Sequence, residues 1–189
     1  MFSRFNFIPV LRGHWKGLTD GRYTPPRPDV AARLSLGVPI LVFLLMWLRG
    51  GHLSTPGALL TGVALLAGGM LSAFTHLSTL RLKVKEWVGF SDISRYEVEK
   101  GMLDETAAHL LTGSLLCALD AATLVVGMNV SVTKDGHLYG FWAATAAAIS
   151  SYVLIIFIFL VPRLYSAYVE INDVSPELSG FVGRRKKRR

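Results

Sequence analysis

The residues of this chain most able to do chemistry are a carboxylate and two histidines inside long apolar runs. Asp120 lies within the run over 107–128, His109 lies near the start of that run, and His76 lies near the end of the run over 57–80. A carboxylate in the hydrocarbon core of a bilayer costs about 2.5–3.5 kcal/mol, so it should face another helix, a water-filled cavity or a partner. Asp120 is therefore either a structural polar anchor or a residue with a proton, ion or gating role.

Helix geometry identifies candidate partners for Asp120. From residue 107 a helix rises about 1.5 Å per residue and carries Asp120 about 20 Å, beyond the midplane toward the outer side. The polar residues of the other runs at that depth are Arg49, Ser150, Ser151 and Tyr152.

The two histidines fall at similar depth near the inner interface if their runs pack antiparallel. His76 and His109 can then form a titratable pair. Two histidines without a third ligand do not predict a metal site, so ordinary hydrogen-bonded histidines are expected.

Motifs of the common enzyme classes are absent from the sequence. No glycine-rich loop ends in Gly-Lys-Ser/Thr, and neither His-Glu-x-x-His nor Gly-x-Ser-x-Gly occurs. We expect a protein that is not an enzyme, with no catalytic residues, no cofactor and no metal.

Four apolar runs must position these residues. Of the 189 residues, 51% are hydrophobic and 17% are charged, which is unusual for a soluble domain. The runs cover about 31–48, 57–80, 107–128 and 138–162, and a span needs about 20 residues. The sequence predicts an all-α polytopic membrane protein with a four-transmembrane-helix bundle. The first run is short, Pro39 should kink it, and Pro56 should lie in the first turn of the second helix.

The basic residues predict the orientation of the bundle. Of the 20 Lys and Arg, all but Arg49 and Lys134 lie before or at the very start of the first run, between the second and third, or after the fourth. Because basic loops stay on the cytoplasmic side, both termini and the loop over 81–106 should be cytoplasmic. We therefore expect a multi-pass protein of an inner (plasma) membrane, with an interfacial segment over 1–30, a transmembrane domain over 31–162 and a cytoplasmic tail over 163–189.

Small residues predict close helix contacts. Two ridges have four-residue spacing, which allows backbones to approach within a membrane. They consist of Ala64, Gly68 and Ser72, and of Ala143, Ala147 and Ser151. Either ridge can serve the bundle of one chain or a homo-oligomer, and the sequence does not choose between these.

Two cationic segments predict surface partners. The segment over 1–30 interleaves bulky apolar residues with cations, so we expect it at the membrane surface, with docking to a protein partner as the alternative. The tail ends in six cations that can bind anionic lipid, whereas nucleic acid is a less expected partner. These cations are Arg184, Arg185, Lys186, Lys187, Arg188 and Arg189.

The N-terminal forty residues carry a resemblance to a group of proteins. Its motifs are Phe5-Asn6-Phe7, His14-Trp15-Lys16-x-Leu18-x-Asp20, Arg27-Pro28-Asp29 and Pro39. This pattern resembles uncharacterised small four-span bacterial membrane proteins, some of which are similar to effectors of antiphage defence. The resemblance implies a membrane-disrupting or membrane-sensing protein that works with a separately encoded cytosolic sensor, and it carries over no catalytic residue.

Three functions fit these features. The leading hypothesis is a protein that oligomerises through the small-residue ridges and alters membrane permeability, with Asp120 lining a hydrated interface. A membrane anchor or scaffold that recruits a cytosolic partner is the main alternative, and a holin-like phage pore is the third. A pore of this kind predicts that Asp120→Leu changes ion leakage, whereas a scaffold predicts that it is silent.

Overall fold

Most of the described chain is helical. A computed structural model describes residues 7–16, 19–20, 27–28, 34–87 and 93–171. The helices in these ranges are α1 (Ile8–Lys16), α2 (Gly37–Leu48), α3 (Pro56–Trp87), α4 (Ile93–Val130) and α5 (Gly140–Ile171). The strands, of two residues each, are β1 (Thr19–Asp20), β2 (Arg27–Pro28), β3 (His52–Leu53) and β4 (Leu138–Tyr139).

Three of the described helices are long enough and apolar enough to cross a membrane. Their candidate spans are Pro56–Leu82, Leu103–Val130 and Gly140–Ser166. The first apolar run gives only the 12-residue helix α2, which is about 18 Å long against a hydrocarbon thickness of about 30 Å. The structure therefore indicates an all-α, membrane-embedded protein with three long spans, and α2 is too short to be counted with them.

Prolines account for part of the difference between the predicted and the observed helix boundaries. Pro39 was expected to kink the first run, but α2 begins at Gly37 and Pro39 lies in its first turn. A missing backbone N–H costs nothing there, because the first N–H groups of a helix have no partner within the helix. Pro56 begins α3, which confirms the expected position in the first turn. Pro162 does not end the last helix, which continues to Ile171.

The polar stretch expected as a cytoplasmic loop over 81–106 is largely helical. α3 continues to Trp87 and α4 begins at Ile93, so both helices extend beyond their apolar segments. Arg81 pairs with Asp104 at 3.1 Å and Arg163 pairs with Glu105 at 2.8 Å, which links all three long helices. We call this the ion-pair end of the bundle. The helices therefore extend past their candidate spans, which end at Leu82 in α3 and begin at Leu103 in α4.

The opposite end of the bundle is closed by backbone pairing. β3 pairs antiparallel with β4, with His52 opposite Tyr139, and Val132 bridges to Leu138. The last run was expected to begin at residue 138, but Leu138 and Tyr139 are in this strand and α5 begins at Gly140, whose φ of 69° favours glycine. We call this the hairpin end.

α4 is the central helix, because α3, α5 and α1 all pack against it, while α2 packs against α5. Most of its buried residues form two series in which members are seven positions apart. One series is Leu103, Leu110, Cys117 and Leu124, and the other is Thr106, Gly113, Asp120 and Gly127. The same spacing occurs in Val63, Met70 and Leu77 of α3 and in Ala146, Val153 and Leu160 of α5. Seven-residue spacing is typical of left-handed helix packing, which is common in membrane bundles.

Candidate functional site

Asp120 is enclosed within one chain, on the buried seam between α4 and α5. Its side chain is fully buried, and the Ser150 hydroxyl donates a hydrogen bond to Oδ2. Ser151 instead donates to the carbonyl of Ala148 at 2.8 Å, and Arg49 is exposed just after α2. Of the residues expected at the depth of Asp120, the described structure thus brings Ser150 to its carboxylate.

α4 buries a second polar atom besides the Asp120 carboxylate. Among the described residues, Thr112 Oγ1 and Asp120 Oδ1 are buried side-chain oxygens without a hydrogen-bond partner. A carboxyl group held by one hydroxyl can bind or release a proton.

The buried histidine pair differs from the expected one. His109 was expected near His76, but its Nδ1 lies 2.5 Å from Nδ1 of His14 in α1. His76 is exposed, because its neighbour Leu77 occupies the buried position in the seven-residue series of α3. The apolar runs give no information on where α1 packs, so the sequence offered no signal for His14 as the partner.

His14 contacts two long helices and so holds α1 against them. Its Nε2 lies 2.7 Å from the Tyr152 hydroxyl of α5, and its ring meets that of His109 edge to face at 4.5 Å. The adjacent Gly13 allows the approach, because a Cβ there would lie 2.9 Å from the Cβ of Ala108. Two neutral imidazoles can form this hydrogen bond when one ring has its hydrogen on Nδ1 and donates to the unprotonated Nδ1 of the other ring.

The buried position of His14 makes the docking of α1 sensitive to pH. Burial, and then the positive charge of Arg163, lower the pKa of His14 from 6.5 to about 4. An undocked His14 gains a proton as the pH falls below about 6.5, while the docked one does so only near 4. Docking is therefore strongest above the higher value and should weaken by about 1.4 kcal/mol per pH unit between the two.

Tryptophan emission can measure this effect. In a variant that keeps Trp15 and replaces Trp47, Trp87 and Trp142 by Phe, we expect the emission to shift as the pH falls from 6.5 toward 4. His14→Gln keeps hydrogen-bonding groups but does not titrate, so its shift should be lost. A shift that persists in His14→Gln would show that a group other than His14 controls the docking of α1.

The two small-residue ridges have different environments. Ala143 is fully buried and Ala147 and Ser151 are half-buried, so this ridge packs within the chain. Ala64, Gly68 and Ser72 are all exposed on α3. A Cβ added at Gly68 would meet nothing within 4 Å. The described part of the chain therefore leaves the ridge of α3 open.

The open ridge belongs to a larger polar surface on α3. At about 100° per residue, its members lie within about 100° of one another, opposite the buried series of Val63, Met70 and Leu77. We call it the polar face of α3, and its exposed residues are Thr61, Gly68, Ser72, Thr75, His76 and Thr79. The threonine hydroxyls donate to carbonyls of the same helix, for example Thr61 to Gly57 at 3.0 Å and Thr79 to Thr75 at 3.1 Å. Leu65 adds a large apolar side chain that is 73% exposed.

A second ring cluster lies at the hairpin end, and sequence reasoning did not find it. The ring of His52 stacks on those of His137 at 4.9 Å and Tyr139 at 5.0 Å. The pairing of β3 with β4 brings these rings together, and the apolar pattern of the runs does not encode that pairing.

The remaining predictions concern metal binding and the basic tail. Within the described ranges, no group of three or more His, Cys, Asp or Glu side chains is placed to hold a metal ion. The six terminal cations over 184–189 lie outside the described residues. Comparison with known proteins found no matching family model, no similar curated protein and no similar solved structure.

Proposed function

We propose that this protein is a non-enzymatic membrane protein that self-associates through the polar face of α3 and, as an oligomer, raises the permeability of the membrane. The observation that carries the proposal is the exposure of hydroxyl groups, glycine and His76 on a helix long enough to span the bilayer. In this role it would be a membrane effector of the bacterial inner membrane.

A face of this composition is poorly suited to lipid. Ionisable residues such as His76 nearly always face other helices or water when they lie within membrane helices, because a charged side chain is costly in hydrocarbon. Small residues, in contrast, allow the close approach from which helices in a membrane gain packing energy. The polar face of α3 is therefore better matched to protein or water than to acyl chains.

A second copy of the chain is the partner that this face fits. The threonine hydroxyls already donate within α3, so two copies of this face would meet mainly through the close approach of its small residues. Gly68 and Ser72 provide the close approach, and Leu65 provides apolar contact beside them. If several copies meet, the hydroxyls and His76 give water hydrogen-bond partners along a shared axis, which supports a hydrated path.

The expected topology completes the proposal. Four crossings, with both termini cytoplasmic, require α2 to cross as well. A helix of about 18 Å can do so where the bilayer thins and a long cation such as Arg49 reaches the headgroups. The ion-pair end would then face the cytoplasm, and the hairpin end would face outward.

Oxidative cross-linking tests the association surface. Ser72→Cys lies at the centre of the polar face, while Ser78→Cys is also exposed on α3 but points about 120° away. We expect copper-catalysed dimers in vesicles from Ser72→Cys and few from Ser78→Cys. Because the proposed path needs several copies, potassium leak should rise more steeply than the protein-to-lipid ratio. The native Cys117 is fully buried and should not compete. Equal cross-linking at both positions would contradict the proposal.

A scaffold is the second candidate, and a specific observation favours it. α3 and α4 both continue as helices beyond their candidate spans, to Trp87 and from Ile93, and so extend past the apolar boundary at the ion-pair end. Such a projecting pair can present a docking surface to a cytosolic protein. Removal of Arg184 to Arg189 should abolish recruitment of a partner if the scaffold is the correct function, while the leak should be absent.

A further inference from the structure

The surface of α1 divides into three sectors. At about 100° per residue, the sector against the bundle carries Val10, Gly13 and His14, which are at least partly buried. The second sector is apolar and exposed, and the third carries the exposed cations Arg12 and Lys16. The apolar sector consists of Phe7, Ile8, Leu11 and Trp15, which are 49%, 63%, 47% and 55% exposed.

The contact with α4 sets the depth of α1 relative to the apolar segment. Gly13 meets Ala108, which lies five residues after Leu103, where the candidate span of α4 begins. This corresponds to about 8 Å along the helix. Amphipathic helices at a membrane surface bury their apolar face by about 5–10 Å, so α1 lies at the depth of such a helix.

The His14 contacts also fix the rotation of α1 about its axis. His14 approaches both His109 of α4 and Tyr152 of α5. A helix held in this way cannot roll to turn Leu11 and Trp15 toward the bundle without losing both contacts. The apolar and cationic sectors are therefore presented together, at the end of the bundle where Arg81 and Arg163 form their ion pairs.

We propose that α1 docks into the headgroup region of an anionic leaflet, with its apolar sector toward the acyl chains and Arg12 and Lys16 at lipid phosphates. The two neighbouring sectors identify a lipid leaflet as the partner of α1, because an apolar and a cationic strip side by side match the acyl and phosphate layers of a leaflet. Trp15 is an amphipathic ring of the kind enriched at this level of a bilayer. This docking is independent of whether the chain forms a permeability path.

Fluorescence quenching tests this docking. The variant that retains Trp15 as its single tryptophan is reconstituted into phosphatidylcholine vesicles with or without phosphatidylglycerol. We expect lipids brominated near the headgroup to quench Trp15 at least about twofold more than lipids brominated near the chain end. Arg12→Glu combined with Lys16→Glu should reduce this quenching in the vesicles that contain phosphatidylglycerol, whereas Lys134→Glu, at the hairpin end, should not.

Two results would overturn the proposal. Quenching of Trp15 by aqueous iodide without quenching by either brominated lipid would place the apolar sector in water. Disulfide formation between copies of Trp15→Cys that persists when the protein is diluted in lipid would place a second chain on it. Neither measurement uses ion leakage, so failure here is distinguishable from failure of the proposed permeability function.

Discussion

Replacing Gly68 by leucine is expected to reduce potassium leak from vesicles at least about tenfold while the fold of the single chain stays intact. Gly68 lies in the middle of the polar face of α3, where a Cβ meets nothing within 4 Å among the described residues. A leucine there holds two copies of α3 apart and removes close contacts along the whole face. A loss of about 1.4 kcal/mol per contact already lowers association tenfold, and a path that needs several copies responds more steeply.

Two further variants show whether the effect of Gly68→Leu is specific to the polar face of α3. Gly37→Leu introduces the same side chain at an exposed position of α2 that also has nothing within 4 Å, and it should leave the leak unchanged. Asp120→Leu alters the buried seam between α4 and α5 and leaves the polar face of α3 intact. If Asp120→Leu abolished the leak and Gly68→Leu did not, the path would run along the seam instead.

Replacing Gly127 by leucine is expected to have the largest effect on stability, about 3 kcal/mol, because it opposes two packed neighbours at once. A Cβ at Gly127 would lie 2.9 Å from the Cβ of Trp142 and 3.1 Å from Cδ1 of Leu138. The Cβ of Trp142 is fixed to the backbone of α5, so α5 must move away from α4. Leu138 is fully buried beside it and has no space to yield.

Thermal unfolding in detergent measures this change. For a chain of this length, about 3 kcal/mol corresponds to a decrease in Tm of about 6–12 °C. Gly37→Leu again provides the control, since it adds the same volume where there is open space. An unchanged Tm for Gly127→Leu would show that α4 and α5 do not approach closely at the hairpin end.

The sequence predicted much of the helical architecture because hydrocarbon imposes a simple requirement. Backbone groups in a bilayer must be satisfied within a helix, so long apolar runs can be read directly as helices. That argument holds for the three long spans and for the start of α3 at Pro56. It does not give the exact start of a helix, since Pro39 lies in the first turn of α2 and α5 begins at Gly140, two residues after the start of the last run.

The partners of polar residues were predictable only where depth alone selects them. Ser150 was among the residues at the depth of Asp120, because both lie on helices whose rise per residue is fixed. The histidine pair was not predictable, because it depends on rotation. Leu77 takes the buried position of α3, and His76, one residue away, is turned out by about 100°.

The sequence by itself determined that the protein is helical, membrane-embedded and strongly asymmetric in its basic residues, since these properties follow from local composition and segment length. Only the tertiary structure decided that Asp120 is enclosed with Ser150, that His14 joins His109 and Tyr152, and that the polar face of α3 remains open. These features depend on which sides of the helices meet. That choice is made by packing between residues far apart in the chain, such as Gly13 against Ala108, and one apolar run carries no information about it.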